Sequence, residues 1–152
     1  MIIIRFLEDL VIFEDWLRKL IKLHFSPSWE HYPVMVNTHV RTLEGDECDL
    51  VLYNKKKTTL LCELKDWTVE DTLNQVVKRR GSFDFAYAVI NQPVYQILNM
   101  LRKMGSEKLN EILSLGIGLV SSRDNVILVR SYRVKKHSKG YIPILDELFK
   151  AM

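Results

Sequence analysis

From Ile4 to His24 the apolar residues recur at helical spacing, the run holds no Gly or Pro, and Ser26-Pro27 closes it. At about 100° per residue, Leu7, Leu10, Val11, Leu17 and Ile21 share one stripe, and Glu14 interrupts its middle. Ile12, Trp16 and Leu23 fall on the opposite side, so this helix is expected to meet something on two faces. The spacing then turns strand-like. Val34, Met35, Val36, Thr38 and Val40 lie between Pro33 and Thr42, and Glu44-Gly45-Asp46-Glu47 reads as a turn. Two further strands, Cys48 to Tyr53 and Thr58 to Lys65, flank Asn54-Lys55-Lys56-Lys57 as a hairpin.

Thr68, followed three residues later by Asp71, resembles a capping box and opens a helix through Arg80 that Gly81 closes. Phe85 to Ile90 is a continuous apolar run, expected as a strand buried on both faces. Pro93 starts a helix through Met104 with Gly105 as its stop, and Glu107 to Leu115 adds another. Ile117 to Val120 and Val126 to Val134, split by Arg123-Asp124-Asn125, form a last strand pair, and Ile144 to Lys150 a terminal helix. A hairpin combined with a later crossover helix predicts an α/β domain, one mixed sheet with helices on its faces. No repeat, linker or charge block divides the 152 residues into two domains.

Composition narrows the class. With 47% hydrophobic and 27% charged residues, the chain is neither disordered nor low-complexity, and it can build a core without disulfides or structural metals. The opening Met1-Ile2-Ile3-Ile4 is followed at once by Arg5, Glu8 and Asp9, which fits neither a signal peptide nor a membrane span, so an intracellular setting is expected. Cys48 and Cys62 are too few for an iron–sulfur or Cys-rich zinc site. His24, His31, His39 and His137 lack zinc spacing. The net charge of +3 suits a moderately anionic partner and falls short of a dedicated polybasic binder.

The informative residues are the charges inside the hairpin strands, because an ionised group in a buried strand costs several kcal/mol unless it is paired or binds a metal. Glu63 and Lys65 are two apart and project from one face. A loop centred on Lys56 allows a register with Asp49 opposite Glu63, which would bring two carboxylates and an ammonium together. Carboxylates that close repel, and a hard divalent cation with oxygen ligands relieves the repulsion. The same register places Cys62 opposite Leu50 and puts both cysteines on the other face, diagonally at roughly 7–8 Å and too far for an unstrained disulfide.

Asp49, thirteen residues, then Glu63-Leu64-Lys65 resembles the signature of the PD-(D/E)XK nuclease superfamily, with Cys48 where the motif carries proline. The resemblance in element order extends from roughly Leu7 to Val134 and implies a restriction-endonuclease-like core. It implies a metal-dependent nuclease, most simply a DNA endonuclease, with Asp49, Glu63, Lys65 and Gln75 catalytic and Mg²⁺ or Mn²⁺ on Glu14, Asp49 and Glu63. Glu14 takes the role of an acid on the first core helix, and Gln75 that of the glutamine on the helix after the Glu-x-Lys strand. RNA stays open as a substrate. So does a non-catalytic nucleic-acid-binding or assembly module that keeps the fold.

Each of these residues also has a plainer reading. The hairpin charges could be a structural ion pair, Glu14 the edge of a wide apolar arc, and Gln75 a surface residue. Lys55, Lys56 and Lys57 suit either a solvated turn or phosphate contacts. Lys78, Arg79 and Arg80, with Arg130, Arg133, Lys135 and Lys136, could track a phosphate backbone or form a solvated face. The second apolar face of the first helix calls for a cover: either Ile144, Leu145, Leu148 and Phe149 of this chain, or a second subunit in a homodimer.

Overall fold

The computed structural model describes residues 2–4, 15–25, 34–41, 47–54, 58–65 and 69–133. Seven strands form one sheet: β1 (Ile2–Ile4), β2 (Val34–Arg41), β3 (Glu47–Tyr53), β4 (Thr59–Lys65), β5 (Phe85–Ile90), β6 (Ile117–Ser121) and β7 (Val126–Val129). Spatial order follows chain order. β2, β3 and β4 make an antiparallel meander, β4, β5 and β6 run parallel, β7 returns antiparallel, and β1 lies parallel to β2. The helices are α1 (Asp15–Phe25), α2 (Val69–Arg79), α3 (Val94–Met104) and α4 (Ser106–Ser114). The expected mixed sheet with helices on its faces is therefore present.

Two apolar layers sandwich the sheet. On one face, Trp16, Leu17, Leu20, Ile21 and Phe25 of α1 pack on Val36, Leu50, Leu52, Leu60, Cys62, Tyr87 and Val89. On the other, Val69, Leu73 and Val76 of α2, Ile97 of α3 and Ile112 of α4 pack on Val51, Tyr53, Leu61, Ala86, Ala88 and Ile90. Because β4 and β5 lie between both layers, they are buried at nearly every position, whichever face it points to. α3 ends where expected, at Gly105, whose φ of 89° is open to glycine at little cost.

Three sequence expectations change. Ile4 belongs to β1, since three successive β-branched residues favour the extended chain and find a parallel partner in Val34–Val36. Trp16 is fully buried with Leu17 and Ile21 against the chain's own sheet, so this ring belongs to the core and not to a second apolar face. Trp16 lies four residues before Leu20, so the two share a buried arc of α1 that is wider than the expected stripe. α2 runs into a 3₁₀ turn, Arg80–Ser82, and Gly81 lies inside that turn and is not its stop. Ile12, the other half of the dimer argument, and the proposed terminal helix at 144–150 lie outside the described residues. Among the described residues no helix is long and apolar enough to cross a membrane.

Side-chain bonds tie the far strands to α1. Asn125, in the β6–β7 turn with φ of 56°, accepts the Trp16 N–H at 3.0 Å, satisfying an amide at the start of α1. Near the other end of α1, the Tyr87 phenol accepts the Ser131 N–H at 3.0 Å and lies 2.5 Å from His24 Nε2. Burial, with Arg130 and Arg133 nearby, lowers the His24 pKa to about 4, so the neutral ring accepts the phenol proton. The tyrosine ring lies across Gly118, where a Cβ would come within 2.2 Å of Tyr87 Cε1.

Candidate functional site

The candidate site forms where β3 and β4 part. Their ladder runs from Tyr53 opposite Thr59 to Leu50 opposite Cys62, the register expected from a loop centred on Lys56. Beyond Leu50, β3 stays on β2 through Val40–Cys48 and Arg41–Glu47, while β4 stays on β5 as far as Lys65–Ile90. Asp49 is skipped by both ladders. The alternation of side chains breaks with them: Cys48 packs in the α2 layer and Leu50, two residues on, in the α1 layer. This corrects the expectation that both cysteines share a face. They lie in opposite layers, and both are buried free thiols.

Asp49 and Glu63 flank the opening. Asp49 Oδ2 accepts the Leu64 N–H at 2.8 Å, replacing the strand bond lost where the ladder ends. Glu63 is 1% exposed, and its Oε1 accepts one bond, from Arg79 Nη1 at 2.8 Å. Its Oε2 has no donor, and Arg79 Nε has no acceptor. Burial first, and then the Asp49 charge, push the Glu63 pKa up to about 8. A guanidinium usually pulls a carboxyl the other way. Here its single bond is outweighed by desolvation and a second acid.

Two acids close enough for the charge of one to oppose ionisation of the other, with an unpartnered buried oxygen on Glu63, are suited to a small divalent cation. Among the described residues no group of three or more His, Cys, Asp or Glu converges. Two carboxylates still fit Mg²⁺, which characteristically takes one or two and keeps several waters. Both donors are hard oxygens, which disfavours a soft-metal site.

Lys65 follows Glu63 on the same face, is half-buried, and forms no side-chain bond or ion pair with another described residue. Gln75 is half-buried on α2, four residues before Arg79 and hence on the same helix face. No hydrogen bond joins it to either acid. Glu14 lies outside the described residues, as do Lys55, Lys56, Lys57, Lys135 and Lys136.

The basic residues separate into different roles. Arg80 is 2% exposed and donates to the backbone carbonyls of Leu115, Phe83, Asp84 and Tyr132. It pins the end of α2 to the sheet and cannot track a phosphate backbone, because its fork is consumed internally. Arg133 pairs with Asp84 at 2.7 Å and lies over the Phe85 ring while remaining exposed. Lys78 and Arg130 are exposed. Arg79 faces Glu63 and is neither part of a solvated stripe nor separable from the acid site. Its place four residues after Gln75 was the available signal for that role.

No protein-family model matches the chain, and no curated protein matches its sequence. Among solved structures it is similar to a protein of unknown function from Silicibacter pomeroyi, with a TM-score of 0.50 and 12% identity over 86% of this chain and 79% of that one. At that identity the likeness concerns the fold alone.

Proposed function

We propose that the protein is a divalent-metal-dependent nuclease that hydrolyses phosphodiester bonds of DNA, with Asp49 and Glu63 as the metal-binding acids and Lys65 beside them. The observation that carries this reading is the pair of acids set across the parted strands, one of them with an unpartnered buried oxygen. A bound Mg²⁺ or Mn²⁺ would supply Lewis-acid polarisation of the phosphate and a more acidic water. Asp49, anchored on Leu64, fixes where one ligand oxygen sits. Glu63, fixed between Asp49 and Arg79, gives up its proton to present the other. Lys65, two residues after Glu63 on the same strand face, would contribute a positive charge to stabilise charge developing on the phosphate oxygens. Support also comes from the Asp49 and Glu63-Leu64-Lys65 spacing and from the order of a helix, three strands, a helix and a strand around it.

The test is incubation of linear, single-stranded and branched DNA with the protein, with and without Mn²⁺, alongside Glu63→Ala and Lys65→Ala. Mn²⁺-dependent cleavage lost in both variants is expected, and cleavage that survives either substitution would sink the assignment. A second reading, a non-catalytic nucleic-acid-binding module of the same fold, draws on the Arg79 charge already resting on Glu63. DNA binding without cleavage and without Mn²⁺ binding would favour it.

A further inference from the structure

We propose that Arg79 is the phosphate ligand of this site: a guanidinium that rests on Glu63 through a single bond when no cation is bound and turns its unused donors to a phosphate oxygen when one is. The inference rests on the metal-dependent reading above and adds to it a ligand from α2.

A guanidinium and a carboxylate match as two parallel bonds, a fork on a fork. Arg79 and Glu63 make only one, from Nη1 to Oε1 at 2.8 Å. The other half is left open on both sides, with Arg79 Nε and Glu63 Oε2 each buried and without a partner. Each bears the desolvation cost of an unmade bond. The two open groups are of opposite kind: Oε2 calls for a cation or a donor, and Nε for an anion or an acceptor. A divalent cation with a phosphate oxygen beside it satisfies both together.

Formal charge points the same way. With both acids ionised, Asp49, Glu63 and Arg79 carry one net negative charge. A divalent cation turns this into one net positive charge, which a phosphodiester then neutralises. A guanidinium also suits the ligand, since its planar fork recognises phosphate oxygens in pairs. If Arg79 only pinned Glu63 in place, its removal would weaken cation binding. If it serves the phosphate, removal spares cation binding and weakens the coupling between cation and nucleic acid.

The experiment is calorimetric titration of Ca²⁺, in place of Mg²⁺ so that the DNA stays intact, into the wild type, Arg79→Gln and Arg79→Lys, and of a short duplex into each with and without Ca²⁺. Arg79→Gln is expected to bind Ca²⁺ alone at least as tightly as the wild type. Its Ca²⁺-dependent gain in duplex affinity should fall by roughly tenfold to a hundredfold, the worth of a hydrogen bond to a charged group. Arg79→Lys should recover part of that gain. A folded Arg79→Gln that binds Ca²⁺ more weakly, or whose duplex gain is unchanged, overturns the proposal while leaving the metal-dependent reading intact. A wild type that binds no divalent cation sinks both. Should the variants not fold, the Nε–H resonance of Arg79 in the ¹⁵N-labelled wild type gives the answer. It is expected to shift when Ca²⁺ and duplex are both present, and a resonance that stays put overturns the proposal.

Discussion

The carboxylate of Asp49 is bonded to the backbone N–H of Leu64, at 2.8 Å, on the strand that carries the other acid. The spacing between the two acids is thus set by a main-chain bond and not by two free side chains. An amide oxygen can accept the same N–H, so Asp49→Asn keeps the clasp while removing the charge that opposes Glu63. In EDTA its melting temperature should equal or exceed that of the wild type, and calorimetry should show Mn²⁺ binding lost. Asp49→Ala leaves the Leu64 amide without an acceptor and should cost about 1–3 kcal/mol in denaturant unfolding.

Glu63 predicts an unusual alkaline slope. Burial, and secondarily Asp49, raise its pKa to about 8, above the ordinary 4.5. Between those values the folded chain holds a proton that the unfolded chain releases, so this group's contribution is fully present below 4.5 and is lost as pH rises through 8. Urea midpoints in EDTA should fall over that window in the wild type, and Glu63→Gln should flatten the fall. An equally steep fall in the variant would assign the slope elsewhere.

His24 acts on the acid side. Its pKa is lowered from 6.5 to about 4, by burial first and then by Arg130 and Arg133. The unfolded chain therefore takes up this proton more readily. Stability from the neutral ring is present above 6.5 and is lost as pH falls through about 4. His24→Gln, which can still accept the Tyr87 hydroxyl, should unfold at a lower pH midpoint than the wild type when followed by far-ultraviolet circular dichroism.

Trp16 makes a packing prediction. It is fully buried against the sheet, so Trp16→Ala should destabilise the fold by about 3–5 kcal/mol. Sedimentation at native pH should show a wild-type oligomeric state that does not hinge on this ring. A Trp16→Ala variant of unchanged stability would contradict its placement.

How much of this was legible beforehand varied with the physics at each place. The hairpin register was legible as far as Leu50–Cys62, because a loop centred on Lys56 allows that pairing. Gly105 and Pro93 bounded α3 by local rules. Ile4 read as the start of a helix because nothing local announces a partner thirty residues away; the pairing with Val36 supplies the decision. Arg79 and Arg80 are neighbours with identical side chains, yet one meets Glu63 and the other four carbonyls. The change from α-helix to 3₁₀ turn between them re-aims the second, and no sequence pattern marks that change. The parting of β3 and β4 at Asp49 was equally silent, although the acids beside it were conspicuous.

A sheet whose spatial order is its chain order has a consequence for synthesis. No strand must be inserted between two that are already paired, so each can add to the open edge left by its predecessor as the chain leaves the ribosome. A nascent chain that has emerged as far as Lys65 already contains both acids and the turn that aligns them, while the Arg79 counter-charge is still to come. Two like charges therefore meet before their neutraliser exists. In the finished fold the Arg79 charge has arrived, yet burial is the main cause that keeps a proton on Glu63.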